Sequence, residues 1–267
     1  MNRIRHIVQA SSRRDATTVY ILADMHLGAA ASDEKRIRDA IKRIEEEGAS
    51  WIGLGDMVDA IGRQDKRSRE GLLAPWLHGE TRIWSVQRRY LADLLRPIGG
   101  QCLAYLKGNH EEYVEAGGID LYYSVAEEAG IPEDRLLGMS GFIRLAIRRS
   151  DGSNGGATTT YTIYAHHGWG GGELLGGHAL KLERMPSRYE ADIYMMGHGH
   201  RALMARSIVE GYNGMREVVM VEAPGFLRKY VDDETTYPER RGLPSTACGA
   251  GVLRLWPDGN RTVKVEV

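Results

Sequence analysis

Five short runs of polar residues hold most of the side chains that could do chemistry in this chain. Each run places aspartate, asparagine or histidine beside glycine or beside a second such residue. In chain order they are Asp24-Met25-His26, Gly55-Asp56-Met57-Val58-Asp59, Gly108-Asn109-His110-Glu111, His166-His167-Gly168 and Gly197-His198-Gly199-His200. Imidazole nitrogens combined with carboxylate and amide oxygens, without thiolate, suit Mn, Fe, Zn, Co or Ni. The runs therefore predict a metal centre.

The number and spacing of these ligands favour two adjacent ions that share one carboxylate. The first run puts an oxygen ligand and a nitrogen ligand two residues apart, within reach of one ion. Gly55 allows a tight turn before Asp56, whose two carboxylate oxygens can bridge two cations. Asn109 adds a neutral oxygen, which limits the negative charge among the ligands. In an extended loop, His198 and His200 project to the same side, so that each can meet a different ion.

Predicted strands and helices must position these runs. Apolar segments predict strands at residues 17–23, 51–54, 102–106 and 193–196, each directly before one of the runs. A helix is expected to begin at an N-cap on Ser32 and to end at Gly48, and others are expected at residues 83–96 and 120–129. Further strands are predicted at residues 142–148, 158–165, 202–209, 218–223 and 251–256, with a last one reaching Val267. The pattern indicates an α/β fold with its functional loops gathered at strand ends.

Composition sets limits on the class of protein. A chain of 267 residues is long enough for a single domain over residues 1–267, and we expect one because no long linker divides it. The 35 basic and 36 acidic residues create no overall field that would attract nucleic acid or an anionic membrane. Two cysteines, Cys102 and Cys248, cannot build a disulfide framework. The polar amino terminus does not resemble a secretory signal, and no run of about 18 apolar residues occurs. We therefore expect a soluble, cytoplasmic protein that does not enter a membrane.

The ordered set of motifs resembles the calcineurin-like metallophosphoesterase superfamily. The motifs span residues 24 to 200, and the remaining strands fit the same domain. The resemblance implies a four-layer α/β sandwich, in which two mixed β-sheets are flanked by helices and the metal site lies in loops at strand ends. It also implies a hydrolase acting on phosphoester bonds.

The resemblance assigns a role to each candidate residue. One metal ion would take Asp24, His26, Asp56 and His200, and the second would take Asp56, Asn109, His167 and His198. His110 would be a catalytic acid or a donor to the transition state, oriented by Asp59. His166 and His167 point to opposite faces of a continuing strand, so one of them is a ligand. The resemblance favours His167 and leaves His166 as the alternative.

Two divalent cations, with Mn expected first and Fe, Zn, Ni or Co as alternatives, would activate a shared water as hydroxide for attack on phosphorus. The expected substrate is a phosphomonoester or phosphodiester, carried by a small molecule or a nucleotide. One alternative is a nuclease or DNA-end-processing phosphodiesterase, in which the basic loop from Arg63 to Arg69 would follow a nucleic-acid backbone. The other interpretation of this loop is a solvated loop and helix cap. A second alternative is a metal-binding scaffold without catalysis. The sequence does not fix the oligomeric state.

Several other segments have two interpretations. The glycines at residues 168–172 and 176–177 would approach a phosphate or form a mobile lid, or they belong to a plain flexible loop. Arg201 and the basic group around Lys229 and Arg241 would meet substrate or form a solvated face. Three further histidines are expected to be structural or exposed, namely His6, His78 and His178.

Overall fold

A computed structural model describes residues 2–60, 72–115, 118, 120–150, 157–211, 214–232, 235–258 and 261–266. The loop from Arg63 to Arg69, on which the nuclease alternative depends, lies outside these residues.

The described strands are β1 Asn2–Ala10, β2 Thr17–Leu22, β3 Ser50–Gly53, β4 Cys102–Leu106, β5 Leu136–Gly138, β6 Ser140–Arg149, β7 Thr158–His166, β8 Ile193–Met196, β9 Leu203–Gly211, β10 Gly214–Glu222, β11 Gly251–Leu255 and β12 Val263–Glu266. The described α-helices are α1 Glu34–Glu47, α2 Ile83–Leu95, α3 Asn109–Glu115, α4 Leu121–Glu128, α5 Leu175–Arg184 and α6 Tyr237–Arg240. Short 3-10 turns occur at Pro75–Leu77, Arg96–Gln101 and Glu133–Arg135.

The strands form two mixed sheets of six strands each. One sheet has the order β12-β11-β2-β3-β4-β5 and the other the order β1-β6-β7-β8-β10-β9. The steps from β2 to β5 are parallel, as are those from β7 through β8 to β10. Antiparallel pairs join β11 to β2 and to β12, β6 to β7, and β9 to β10. The predicted fold class is confirmed.

Successive side chains of a strand point to opposite faces of its sheet, and this alternation accounts for the layers of sheets and helices. Val19 and Ile21 of β2 point into a core shared by both sheets, where they join residues of β6 and β7 such as Ile143 and Ile163. The intervening Tyr20 and its neighbours along β2 face helices α1, α2 and α4 in a second core. A third core packs α5 against β7, β8 and β10. Both faces of β4 and β8 are buried, and the residues of these two strands are accordingly apolar throughout.

Three local features differ from the sequence-based expectations. The N-cap of α1 is Asp33, whose carboxylate accepts the backbone N–H of Arg36, while Ser32 donates its hydroxyl to Met25 O at 2.8 Å. The glycines at 176–177 lie in the first turn of α5 and not in a loop. Strand β1 was not expected, because its charged residues alternate with only a few buried ones along the edge of its sheet.

The remaining predicted elements occur within a few residues of their expected bounds, and α1 ends at Gly48 in the left-handed conformation with φ 57°. Within the described residues, no helix combines the length and apolar composition needed to cross a lipid bilayer.

Candidate metal centre

The predicted site residues come together at one end of the two sheets. Strands β2, β3 and β4 of one sheet lead into the first three runs, and β7 and β8 of the other sheet lead into the last two. Backbone hydrogen bonds join the loops: Asp24 N donates to Gly55 O at 3.0 Å, and Gly197 N donates to His167 O at 2.9 Å. The carboxyl ends of neighbouring parallel strands therefore deliver all the candidate ligands to one place.

Most of the unusual backbone conformations in the described chain belong to these ligands. Seven described residues other than glycine have positive φ, and five of them are candidate ligands: Asp24 at 50°, His26 at 44°, Asp56 at 51°, His198 at 66° and His200 at 54°. The left-handed conformation costs an L-residue roughly 1–2 kcal/mol. Its concentration here shows that the surrounding structure holds the loops in shapes that aim these side chains. The loop holding His198 and His200 is accordingly not extended.

One group of candidate ligands consists of Asp24, His26 and His200. One donor atom from each side chain lies within 4.8 Å of the others. His200 Nε2 is 3.8 Å from Asp24 Oδ1, and the rings of His26 and His200 stack with their centroids 5.0 Å apart. Asp24 is fully buried, and its two carboxylate oxygens accept the backbone N–H of His198 at 3.0 and 2.8 Å.

A second group consists of Asp56, His167 and His198, again with donor atoms within 4.8 Å. His167 Nδ1 donates to the carbonyl oxygen of Leu54 at 2.7 Å, which directs Nε2 toward Asp56 Oδ2 at 3.5 Å. Asn109 Oδ1 lies 3.0 Å from the same Nε2.

The structure places His167, and not His166, in this group. His166 Nδ1 accepts the backbone N–H of Gly168 at 2.8 Å, and its ring packs edge-on against Trp169. His166 is thus engaged by the loop that follows it.

Asp56 belongs to the second group and also adjoins the first. Its Oδ2 is 3.5 Å from His167 Nε2 in the second group and 3.9 Å from His26 Nε2 in the first. The Asp56 carboxylate lies so close to the backbone of residue 108 that this residue must be glycine. A Cβ on Gly108 would lie 2.1 Å from Asp56 Oδ1. A carboxylate in this position can serve ions on both sides.

His110 and Asp59 adjoin the same carboxylate. His110 Nδ1 donates to the backbone carbonyl of Asp59 at 2.6 Å, which leaves Nε2 facing Asp56 Oδ2 at 3.9 Å. The Asp59 carboxylate Oδ1 is 3.2 Å from His26 Nδ1 and 3.6 Å from His110 Nδ1. Asp59 thus contacts both imidazoles, and it orients His110 through its backbone more directly than through its side chain.

Burial and charge set the protonation of the buried ligands. Burial alone would lower the pKa of His26, but the hydrogen bond with Asp59 and the charge of Asp56 raise that pKa to about 9. The pKa of His167 is likewise raised to about 9, because the hydrogen bond with Asp56 and its charge outweigh burial. Burial would raise the pKa of Asp56, yet His167 and the other imidazoles hold it well below its ordinary value. Burial raises the pKa of Asp24 to about 7, although His167 opposes the shift.

The other two ligand histidines behave differently. Burial lowers the pKa of His198 to about 4, and it lowers the pKa of His200 well below the ordinary value. Both rings are therefore neutral at pH 7 and present lone pairs, which is the form that binds metal.

These residues fit divalent cations. His26 Nε2 is buried and has no hydrogen-bond partner among the described residues, although it faces Asp56 Oδ2. A buried polar atom without a partner is costly unless a cation or water satisfies it. The donor set of imidazole nitrogens and hard oxygens is also the set that Mn, Fe, Zn, Co and Ni accept.

Glu111 supports the loops of the candidate site, although the motif analysis gave it no role. Its buried carboxylate accepts the backbone N–H groups of Asp56 at 3.0 Å, Met57 at 2.7 Å and Gly108 at 2.9 Å. Burial and the charge of Asp56 raise the pKa of Glu111. Its place directly after Asn109-His110 was the sequence feature that could have pointed to this role. Through its hydrogen bonds, Glu111 holds the loops of Asp56 and Asn109 together.

The structure also brings His178, expected to be structural or exposed, to the wall of the site. Its Nδ1 shares a hydrogen bond of 2.7 Å with the buried Glu222, and its Nε2 donates to Gly172 O at 3.0 Å. Lys181, one turn further along α5, donates to Gly170 O at 3.1 Å. These two side chains fix residues 168–173, the glycine loop, to α5. Nothing in the sequence near His178 pointed to this role.

A cavity of about 470 Å³ opens onto the centre. Its lining includes His26, Asp56, Asn109, His110 and His198, and the glycine loop forms part of its wall. Its volume falls in the range of small-molecule sites.

No protein-family profile matches the chain, and no curated protein sequence matches it. Similar solved structures include a protein of Streptococcus pneumoniae described as a predicted phosphoesterase, with 14% identity, coverage of 94% of this chain and 98% of the other, and a TM-score of 0.34. A metallophosphoesterase from Sphaerobacter thermophilus has 13% identity, coverage of 93% and 87%, and a TM-score of 0.39. Vps29 of Entamoeba histolytica, in complex with zinc, has 13% identity, coverage of 93% and 97%, and a TM-score of 0.34.

Two of these descriptions name the kind of protein that the motifs resemble. Every identity is below 25% and every TM-score is below 0.5. Such distant similarities assign no chemistry, which has to follow from the residues of this chain.

Proposed function

We propose that this protein is a hydrolase that uses two divalent metal ions to cleave a phosphomonoester or phosphodiester. One ion would be held by Asp24, His26, Asp56 and His200, and the other by Asp56, Asn109, His167 and His198. When bound, such ions supply Lewis acidity, which activates water and neutralises charge on phosphoryl oxygens. Mn is the first metal to test.

The position of Asp56 carries this proposal. A single buried carboxylate lies within 4 Å of an imidazole from each ligand group. A site for one structural ion would need no second group around a shared oxygen ligand. The open cavity beside the centre agrees with a site that admits substrate.

The chain's own residues supply the rest of the reaction. A water oxygen forms a bond to phosphorus and releases a proton to solvent, while the bond from phosphorus to the leaving oxygen breaks. His110 faces the cavity and, when protonated, can give the leaving oxygen its proton from Nε2, because Nδ1 is committed to Asp59 O. The products are an alcohol and a phosphate, or an alcohol and a phosphomonoester when the substrate is a diester.

Metal analysis and a substrate panel test the proposal. The protein would be loaded with Mn, and its metal content per chain measured after removal of excess ion. Turnover of an aryl phosphomonoester, its bis-aryl diester and single-stranded DNA would then be compared. We expect two ions per chain and turnover of an aryl ester. Loading of two ions with no turnover of any of the three would instead favour a scaffold, and turnover of DNA alone would favour a nuclease.

A further inference from the structure

Three basic side chains line the cavity outside the metal centre. They are Arg201, Lys229 and Arg241, and they come from three separate segments of the chain. We call them the basic rim. Among the described residues that line the cavity outside the metal centre, one has an acidic side chain, namely Glu173. The rim therefore places positive charge beside the centre that is proposed to cleave a phosphoester.

Within the described part of the chain, none of the three side chains of the basic rim forms an ion pair. Arg201 donates to the carbonyl oxygen of Glu173 at 2.7 Å, and the ammonium group of Lys229 lies 5.1 Å from the ring centroid of Tyr230. Both contacts orient a cation without cancelling its charge. Elsewhere on the surface, basic residues commonly have carboxylate partners, as in the pair of Lys35 and Asp39.

The cavity also has apolar walls. Leu72, Leu227, Leu243 and Pro244 line it together with the backbone of the glycine loop. A small inorganic anion would leave these surfaces without contact. A ligand with an organic body and a second anionic group would use both the walls and the rim.

We propose that the substrate is a small organic phosphoester that carries a second phosphate, bound by the basic rim while the first phosphate lies at the metal centre. This inference rests on the proposed function. Charge-assisted hydrogen bonds from Arg and Lys to phosphate are among the stronger polar contacts in proteins. A nucleotide with two separate phosphates is a suitable probe of this class.

Competition binding tests the inference. Adenosine 3′,5′-bisphosphate and adenosine 5′-monophosphate would be compared as inhibitors of aryl phosphate turnover by the Mn-loaded protein. We expect the bisphosphate to bind at least about tenfold more tightly, which corresponds to about 1.4 kcal/mol. In the double variant Lys229→Met/Arg241→Leu this ratio should fall toward one. Arg201 stays unchanged because it also holds the glycine loop.

The matched control is Lys42→Met/Arg43→Leu, which removes the same two charges from the exposed face of α1. The control should keep the preference of the wild type. Equal ratios in the two double variants, or no preference in the wild type, would overturn the inference.

Titration calorimetry with the same two nucleotides keeps the two proposals separable. If the protein turns over no ester, the function proposal fails, while the calorimetric ratio still decides whether the rim binds a second phosphate. Normal aryl turnover without a bisphosphate preference would reject the rim alone.

Discussion

At the scale of single residues, the ligand types and the backbone conformations of this centre suit each other. Asp and His enter the left-handed region more readily than branched or bulky residues do. At the five candidate ligands with positive φ, the backbone strain is therefore smaller than it would be with a branched side chain. A valine or leucine at Asp24 or His200 would lose a ligand and add strain as well.

Asp56→Asn tests the shared ligand. The substitution keeps the side-chain shape and an oxygen that can accept from His110 N, but it removes the negative charge between the two groups. We expect metal content to fall from two ions to fewer than one per chain, and turnover to fall at least about 100-fold. Elemental analysis after gel filtration measures the first effect. Asp39→Asn on the exposed face of α1 is the control, and retention of two ions by Asp56→Asn would contradict the bridging role.

His110→Asn separates catalysis from metal binding. Asparagine can keep a hydrogen bond near the Asp59 carbonyl but cannot deliver a proton at pH 7. We expect two ions per chain as in the wild type and a loss of roughly 10²–10⁴-fold in kcat. Substrates with a more acidic leaving group should lose less, because they need less protonation. A variant that loses its metals together with its activity would show that His110 is a ligand instead.

Metal binding should depend on pH through His26 and His167. Their pKa values of about 9 mean that both rings carry a proton at pH 7 before metal binds. Binding must displace these protons, so the apparent affinity should rise by up to about tenfold per pH unit for each proton until the pH nears 9. Calorimetric titration in buffers with different ionisation enthalpies measures the release. Absence of proton release at pH 7 would contradict the expectation.

The same two histidines should stabilise the protein prepared without metal. Because their folded pKa values lie above the ordinary value of 6.5, their contribution is complete below pH 6.5 and is lost as the pH rises through about 9. Thermal unfolding of chelator-treated protein across this range would show a falling midpoint, which saturating metal should reverse.

At the scale of elements, α5 connects the metal centre to the wall of the cavity. His178 and Lys181 reach the glycine loop from the same face of the helix. A Cβ on Gly199 would lie 1.8 Å from Glu222 Oε1, so the loop carrying His198 and His200 packs directly on the partner of His178. The position of this helix therefore bears on both the ligands and the cavity.

Lys181→Met tests this connection. Methionine has a similar length but cannot donate to Gly170 O or Gly171 O, which would be left to solvent. We expect faster amide hydrogen exchange over residues 169–173, a higher KM and a loss of about 1 kcal/mol in the free energy of unfolding. Mass spectrometry resolves the exchange by segment. Lys42→Met on α1 is the matched control, and unchanged exchange in Lys181→Met would show that the loop is held by other contacts.

At this scale the sequence predicts the strands before the ligands well, because residues such as Val19, Ile21 and Ile52 are buried and apolar. Helix α5 is missed because Gly176 and Gly177 have low helix propensity, and tertiary packing of Leu182 and Met185 overrides that tendency. His178 is missed for a related reason. Its partner Glu222 is 44 residues away, and no local pattern links the two.

At the scale of the whole molecule, the two sheets act as one support for the centre. Three ligand loops leave one sheet and two leave the other, and the core between the sheets fixes their relative position. Spacing along the chain predicts the candidate ligands but does not show which of them meet each other, since that depends on how the sheets pack. Asp59 illustrates the limit: its position in the motif was evident, but its contact with His26 was not.

The hydrogen bonds between Asp24 and the backbone of His198 join residues that are 174 positions apart in the chain. A complete binding site therefore exists only after both sheets have formed and docked, so metal cannot guide the early steps of folding.

Added Mn should slow unfolding by up to about 100-fold at a free concentration 100 times the Kd, while the folding rate stays unchanged. Stopped-flow measurement of both rates would reveal this asymmetry, and faster folding with metal would mean that part of the site assembles early. In the cell, bound metal would then slow the unfolding of the folded protein. The metal supply would therefore affect the lifetime of each molecule more than its rate of folding.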